Sequence, residues 1–426
     1  MVPLTLSALY AAVHPERNVI MLSHLTPRSI QILSLALLLT ASAQTLPAQN
    51  VSTSVAPAVV TPAEPTAAAQ VPTGPTTPAP APVWSIGSID FSGIVDGYYS
   101  FNANHPPTNS YGNQLRNFDF DANAFSLNMA KLTISHDADP IGFRVDLGFG
   151  KAFDAILASE PNFKYLEQAY VSWKPTGGKG FEADLGEFVT SAGAEVIETK
   201  DNWNYSRSFL FALAIPYYHV GLRTSMPVTK SWTAGVQVIN GWNNFTDNNS
   251  GKTIGLTSVY TKPKFALANT YYFGPENAGT SKGKRNLIDT VLTLTPTSKV
   301  SAYINYDYGQ NRNAIPIAAG STTYKTTSLD HWQGIAAALH YQPTSTISIT
   351  PRYEYYKDAT AFTTGLKQTL NEFTITGEYK MVQGILGRLE YRRDHSDQKY
   401  FNKGSRLVDS QSTIELGVTA FFGPKR

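Results

Sequence analysis

No cysteine occurs in the 426 residues, which excludes disulfides and thiolate–metal chemistry and suits an exported chain. Charge is scarce at 15%, the net charge is only +2, and no basic cluster stands out. No nucleic-acid partner is therefore expected. No glycine-rich nucleotide loop and no His/carboxylate cluster with metal spacing is visible, so neither a cofactor nor a resident metal is expected. The sparse loop "TDNNSG" (Thr246–Gly251) has Ca²⁺-type ligands, but ordinary polar turns look the same. The apolar run "ILSLALLLT" (Ile32–Thr40) falls well short of the roughly 20 residues of a membrane-spanning helix.

That run has another reading. An arginine precedes it in "LTPRS", and Ala41 and Ala43 follow at small-residue cleavage positions, the three-part layout of a secretory signal peptide. Residues 1–43 are assigned to it, and a start at Met21 would give a signal of ordinary length. Residues 44–83 are rich in Pro, Ala and Thr and nearly uncharged, so they read as an extended periplasmic spacer without a core. Residues 84–426 differ in kind.

In "IGFRVDLGFGK", Ile141, Phe143, Val145, Leu147 and Phe149 alternate with Gly142, Arg144, Asp146, Gly148 and Gly150. A period of two is an extended strand with one oily face and one face bearing charge. The alternation recurs in "FSGIVDGYYSF", "KVSAYINYDYG", "GILGRLEYRRD" and "STIELGVTAFFGPKR". Short turns such as "DADP", "KPTGGKG", "TKPK" and "QPTST" alternate with longer polar loops, roughly at 102–124, 150–164, 187–217, 240–252, 273–286, 309–331, 356–371 and 393–411. Seven turns and eight loops imply sixteen strands, with both ends on the short-turn side. Two stretches resist the pattern. "FSLNMAKLTISHD" changes phase near Ala130, as a β-bulge would. Glu167 shares a frame with Ala169, Val171 and Trp173, which is tolerable only beyond the membrane slab.

A soluble sandwich would turn its charged face outward, and it has no need of short connections at one end and long ones at the other. A transmembrane antiparallel β-barrel of about 16 strands needs both features, because open sheet edges are intolerable in hydrocarbon. A basic side chain on the lipid face costs about 2–4 kcal/mol near the midplane. Arg144, Arg223, Arg352, Arg388 and Arg392 must then face the lumen, with Asp146, Glu354 and Glu390 on the same wall as partners. Trp173, Phe181, Trp232, Tyr260, Phe265, Tyr341 and Phe422 lie near the short-turn end, as an interfacial aromatic girdle would.

The words "EQAYVSW", "NYSRSFLFALAIPYYHVGLR", "VINGWNN" and "YYFGPE", in that order, resemble the OmpL-like β-barrel porins of bacterial outer membranes, over roughly Ile86 to Phe422. The resemblance implies an outer-membrane channel. Phe422 is similar to the aromatic end of an outer-membrane assembly signal, although Gly423 to Arg426 follow it here.

The expected function is a porin, not an enzyme: a water-filled channel for passive diffusion of small hydrophilic solutes or ions. Its partners would be outer-membrane lipids and, by analogy with sixteen-stranded porins, two further copies in a homotrimer. Glu187–Tyr217 is the longest loop and the third long one; by analogy it folds inward as the constriction, with Glu195, Glu198, Lys200, Asp201 and Arg207 as its ionisable residues. An outward loop with solvated charges is the alternative. Three other readings stay open: a plugged structural or adhesive barrel, an aromatic sugar track along the lumen, and a lipid hydrolase using His219 and Ser225 on the outer wall. Those two residues are six apart along one strand, ~20 Å and too far for proton transfer.

Overall fold

The computed structural model describes residues 85–107, 112–157, 160, 162–318, 321–382 and 384–424. The assigned signal peptide and spacer lie outside these residues.

Sixteen antiparallel strands follow one another around a closed barrel. They are β1 (Ile89–Asn102), β2 (Ala124–His136), β3 (Ile141–Phe149), β4 (Leu166–Trp173), β5 (Glu182–Val189), β6 (Tyr218–Thr229), β7 (Trp232–Ile239) and β8 (Thr253–Lys262). The ring continues through β9 (Phe265–Gly274), β10 (Arg285–Thr297), β11 (Val300–Pro316), β12 (Tyr324–Tyr341), β13 (Ile347–Asp358), β14 (Gln368–Val382), β15 (Ile385–Ser396) and β16 (Ser410–Phe422). It closes where β16 pairs with β1, from Thr413–Asn102 to Phe422–Gly93. Closure leaves no barrel strand with an unpaired edge, which is the condition for a sheet in lipid.

Alternation sets the two faces. In β16, Ile414, Leu416 and Val418 are exposed on the outer surface, while Gln411, Thr413, Glu415 and Thr419 are buried on the inner one. Exposed Trp173, Trp232, Tyr260, Phe265, Tyr341 and Phe422 ring the short-turn end. The outer frame gives a direct prediction. Leu389→Arg, at a position 59% exposed on the outer face, is expected to cost about 2–4 kcal/mol, read as a lower urea midpoint of the protein folded in liposomes. An unchanged midpoint would contradict the facing.

Two β-bulges explain the irregular stretches. Between Asp96–Met129 and Gly97–Leu127 the register slips by one, so Asn128 and Met129 are both buried. Phe125 and Leu127 face outward before the slip, and Leu132 after it. The second bulge corrects the expectation for Glu167. The register slips between Asp146–Gln168 and Leu147–Leu166, and Glu167 turns inward to accept a hydrogen bond from Lys131 at 2.7 Å. It is not a rim residue on the lipid face.

The loop expected at 309–331 is also shorter than its polarity suggested. β11 and β12 stay paired through Arg312–Leu329, slip once, and continue to Pro316–Tyr324. Polar side chains do not oppose strand pairing where both faces meet water, so the hairpin extends past the lipid-facing band. The last loop holds a small ribbon, Phe401–Lys403 paired with Arg406–Val408.

Candidate functional site

Between β5 and β6 the chain turns into the barrel and crosses it. Backbone groups in a crossing loop need partners, and the wall supplies them. Glu354 accepts from the amides of Phe209 at 2.9 Å and Leu210 at 3.3 Å. Glu390 accepts from the amides of Tyr205 at 2.7 Å and Ser206 at 3.1 Å. Asn305 receives the amide of Ala194 at 3.0 Å, and the Trp332 indole donates to the carbonyl of Ala214 at 3.1 Å. The Arg388 guanidinium donates to the carbonyls of Thr199 and Asn202, both at 2.5 Å, and Arg392 to that of Arg207 at 2.5 Å. Strands β11, β12, β13 and β15 therefore hold the loop by its main chain, largely whatever its side chains.

The side chains pack as a core does. The π-helical turn Leu210–Ala214 buries Leu210, Phe211 and Ala214, next to the inward Trp332 and Tyr356. Trp203 stacks between Tyr303 and His340 at ring separations of 5.3 and 5.1 Å. Two inner-wall glycines make room: a Cβ on Gly334 would meet Leu210 Cδ1 at 2.6 Å, and one on Gly417 would overlap the Tyr205 ring.

The five ionisable loop residues separate into two kinds. Glu195 and Arg207 are buried in the loop's own fastening. Glu195 joins the Ser208 amide at 2.7 Å to Arg352 at 2.5 Å. Arg207 donates to the carbonyls of Val196, Ile197 and Tyr205 and lies over the Phe118 ring, and burial lowers its pKa. Lys200 and Asp201 pair with each other at 2.6 Å; the Asp201 side chain is exposed and that of Lys200 partly so. Glu198 lies between these extremes, paired with Lys131; burial raises its pKa, but the ammonium outweighs this and holds the carboxyl low. Lys131 also reaches Glu167 at 2.7 Å and Asp146 at 3.4 Å. Asp146, Glu167 and Glu198 are the one group of three such ligands gathered closely enough for a metal among the described residues, and the Lys131 ammonium sits within it. In "TDNNSG", Asp247 is paired with Lys252.

The wall residues all lie on the inner face; Arg144 keeps its expected strand neighbour, and the other arginines have closer partners than those expected. Arg144 pairs with Asp146 at 3.1 Å, and Arg223 with Asp184 at 2.7 Å. Arg352 reaches Glu372 at 3.1 Å and is only 3.9 Å from Glu354. Arg388 pairs with Glu378 at 2.7 Å, and Arg392 with Asp394 at 2.7 Å. Glu390 serves loop amides and Thr376 rather than an arginine. Lys131, Trp203, Trp332 and Glu372 were missed. The unusual apolar and asparagine content of "NWNYSRSFLFALAI" was the available signal that this loop is not a solvated one.

His219 and Ser225 lie in the inner frame of β6, which corrects the outer-wall placement. The His219 ring is buried beside Tyr272 and Phe188, its Nδ1 bonds the carbonyl of Gly241 at 2.9 Å, and its Nε2 has no hydrogen-bond partner.

The family profile described as "Putative beta-barrel porin-2, OmpL-like" matches residues 88–422. The chain belongs to this family. The OmpL-like barrel is similar in fold to OmpT of Vibrio cholerae, at 12% identity and a TM-score of 0.52 over 78% of this chain and 97% of that one. It is also similar to the outer membrane channel DcaP of Acinetobacter baumannii, at 10% identity and 0.51 over 78% and 97%. An anion-selective porin from Comamonas acidovorans matches at 11% identity and 0.50 over 79% and 99%. At such identities the likeness is one of fold alone. No curated protein sequence matches the chain. Family and fold together put the OmpL-like barrel in the bacterial outer membrane.

Proposed function

We propose that the protein is a porin whose inward third loop narrows a water-filled path for passive diffusion of small hydrophilic solutes or ions, without enzymatic activity. The observation that carries this reading is the uneven contact of loop and wall. The loop's hydrogen bonds run mainly to β1, β9 and β11–β15, while inner-face residues of β6–β8 stay only partly covered, among them Gly221, Arg223, Ser225, Gly235 and Thr257. A path along that side would pass between these small wall residues and the loop. Sixteen strands enclose enough width for a loop and an aqueous channel together.

The tight packing around Arg352, Glu354 and Trp332 favours a second reading, a plugged structural barrel. Planar-bilayer recording of the refolded protein separates them: discrete ohmic steps are expected, and silent insertion would favour the plug. In the same bilayers, Glu195→Gln with Glu198→Gln is expected to shift the reversal potential in a salt gradient, and an unchanged value would remove those residues from the selectivity filter. A phospholipid hydrolysis assay is expected to give no turnover. The trimer form in which OmpT of Vibrio cholerae has been solved supports assembly as a homotrimer.

A further inference from the structure

The inward arginines Arg144, Arg223, Arg352, Arg388 and Arg392 each hold a carboxylate. Arg285 does not. It opens β10 at the long-loop end, in the frame of the inward Leu287, Asp289 and Val291. Its Nε donates to Asn311 Oδ1 at 3.0 Å. Among the described residues it makes no ion pair, and its two terminal nitrogens have no acceptor.

Two aromatic rings lie against this guanidinium. Its carbon is 4.8 Å from the centre of the Trp242 ring and 5.3 Å from that of Phe362. Phe362 stacks in turn on Trp332 at 5.2 Å, and Trp242 meets Trp332 edge-on at 6.2 Å. These residues come from distant parts of the chain, and each is tied down separately. Glu276 accepts the Trp242 amide at 2.8 Å and the Thr253 hydroxyl at 2.7 Å, so both its oxygens are engaged. Asp358 accepts the amides of Phe362 and Thr363 at 2.9 Å each and that of Thr364 at 2.8 Å. The Trp332 indole is held by the Ala214 carbonyl, so the box rests on the third loop. Trp242, Arg285 and Phe362 stay partly exposed, whereas Trp332 is buried.

Aromatic rings strip water from a guanidinium without neutralising it, and a desolvated cation without a counter-charge is unfavourable. With Nε already committed, the two terminal nitrogens form a planar fork that matches two oxygens of a carboxylate or phosphate. We propose that Arg285, framed by Trp242, Phe362 and Trp332, binds the carboxylate or phosphate group of an anionic solute at the long-loop mouth of the barrel. That such a solute then crosses the barrel rests on the porin reading; its binding does not.

The refolded full chain in detergent is titrated with inorganic phosphate and, separately, with acetate at constant ionic strength. Tryptophan emission is expected to change and saturate with at least one of them, and the arm that saturates names the anion. Arg285→Gln is expected to raise the midpoint about tenfold or more, as the loss of a charge-assisted pair does. Arg285→Lys, which keeps the charge and gives up the fork, should raise it by less. Arg312→Gln, exposed on the outer face of β11, should leave it unchanged. Heat-modifiable mobility verifies the folding of each variant. No saturation with either anion overturns the proposal, as does a midpoint equal to the parent's in Arg285→Gln or Arg285→Lys. Bilayer conductance is read separately: a conducting channel without saturable binding removes the site and leaves the porin reading standing, whereas saturable binding by a silent barrel keeps the site and removes the channel.

Discussion

Excising Ala192–Ile215 and bridging the gap with a short Gly–Ser link is expected to raise single-channel conductance about threefold or more, because sixteen strands without an inner loop enclose a wide aqueous lumen. The barrel itself should survive. Its strands pair in sequence all the way round, and the loop contributes no strand to the ring. The inner wall then loses its partners but meets water instead, which hydrates Glu354, Glu390 and Arg388 as the loop's main chain does now. Unchanged conductance, with folding verified by heat-modifiable mobility, would mean that the loop does not narrow the path.

Arg352→Met should be the most damaging single substitution on the inner wall. The guanidinium is fully buried, holds Glu195 and Glu372 as ion partners, and donates to the Ser206 carbonyl at 2.8 Å. Removing one member of a buried charged network strands the others, at a cost of about 3–5 kcal/mol. Glu354 lies directly opposite Glu372 across β13 and β14, so losing the arginine also leaves two carboxylates facing each other. The expected result is a lower unfolding midpoint together with noisy, interrupted currents, since the same arginine joins wall to loop. The paired variant Arg352→Met/Glu372→Gln should recover part of the loss. A midpoint within error of the parent would show that the cluster is hydrated rather than closed.

Much of the barrel is legible in the alternation, and the reason is physical. The lipid face admits almost no charge, so every strand in the slab carries the same period-two signature, and Ile141–Phe149 is enough to read the facing of its neighbours. Legibility fails where that constraint lapses. Above the slab both faces meet water, which is why Asn311–Pro316 remain strand despite their polarity. At a bulge the period itself slips, which is why Glu167 appeared to face lipid. Inside the lumen, the loop-facing positions of β9–β13 are filled by Ala268, Leu287, Val291 and Trp332, apolar residues that mimic the outer face. Ion partners were the least legible. Arg352 and Glu354 are neighbours in one strand frame, yet the arginine's closer carboxylates come from β14 and from the loop, and strand periodicity carries no information about either.

The account depends most on the third loop lying inside a conducting barrel. Asp201→Cys tests this directly, because its side chain is half exposed on the loop and the chain has no other thiol. Adding a charged methanethiosulfonate reagent to open channels in a bilayer should lower the current in discrete steps. Complete labelling that leaves the current unchanged would contradict it.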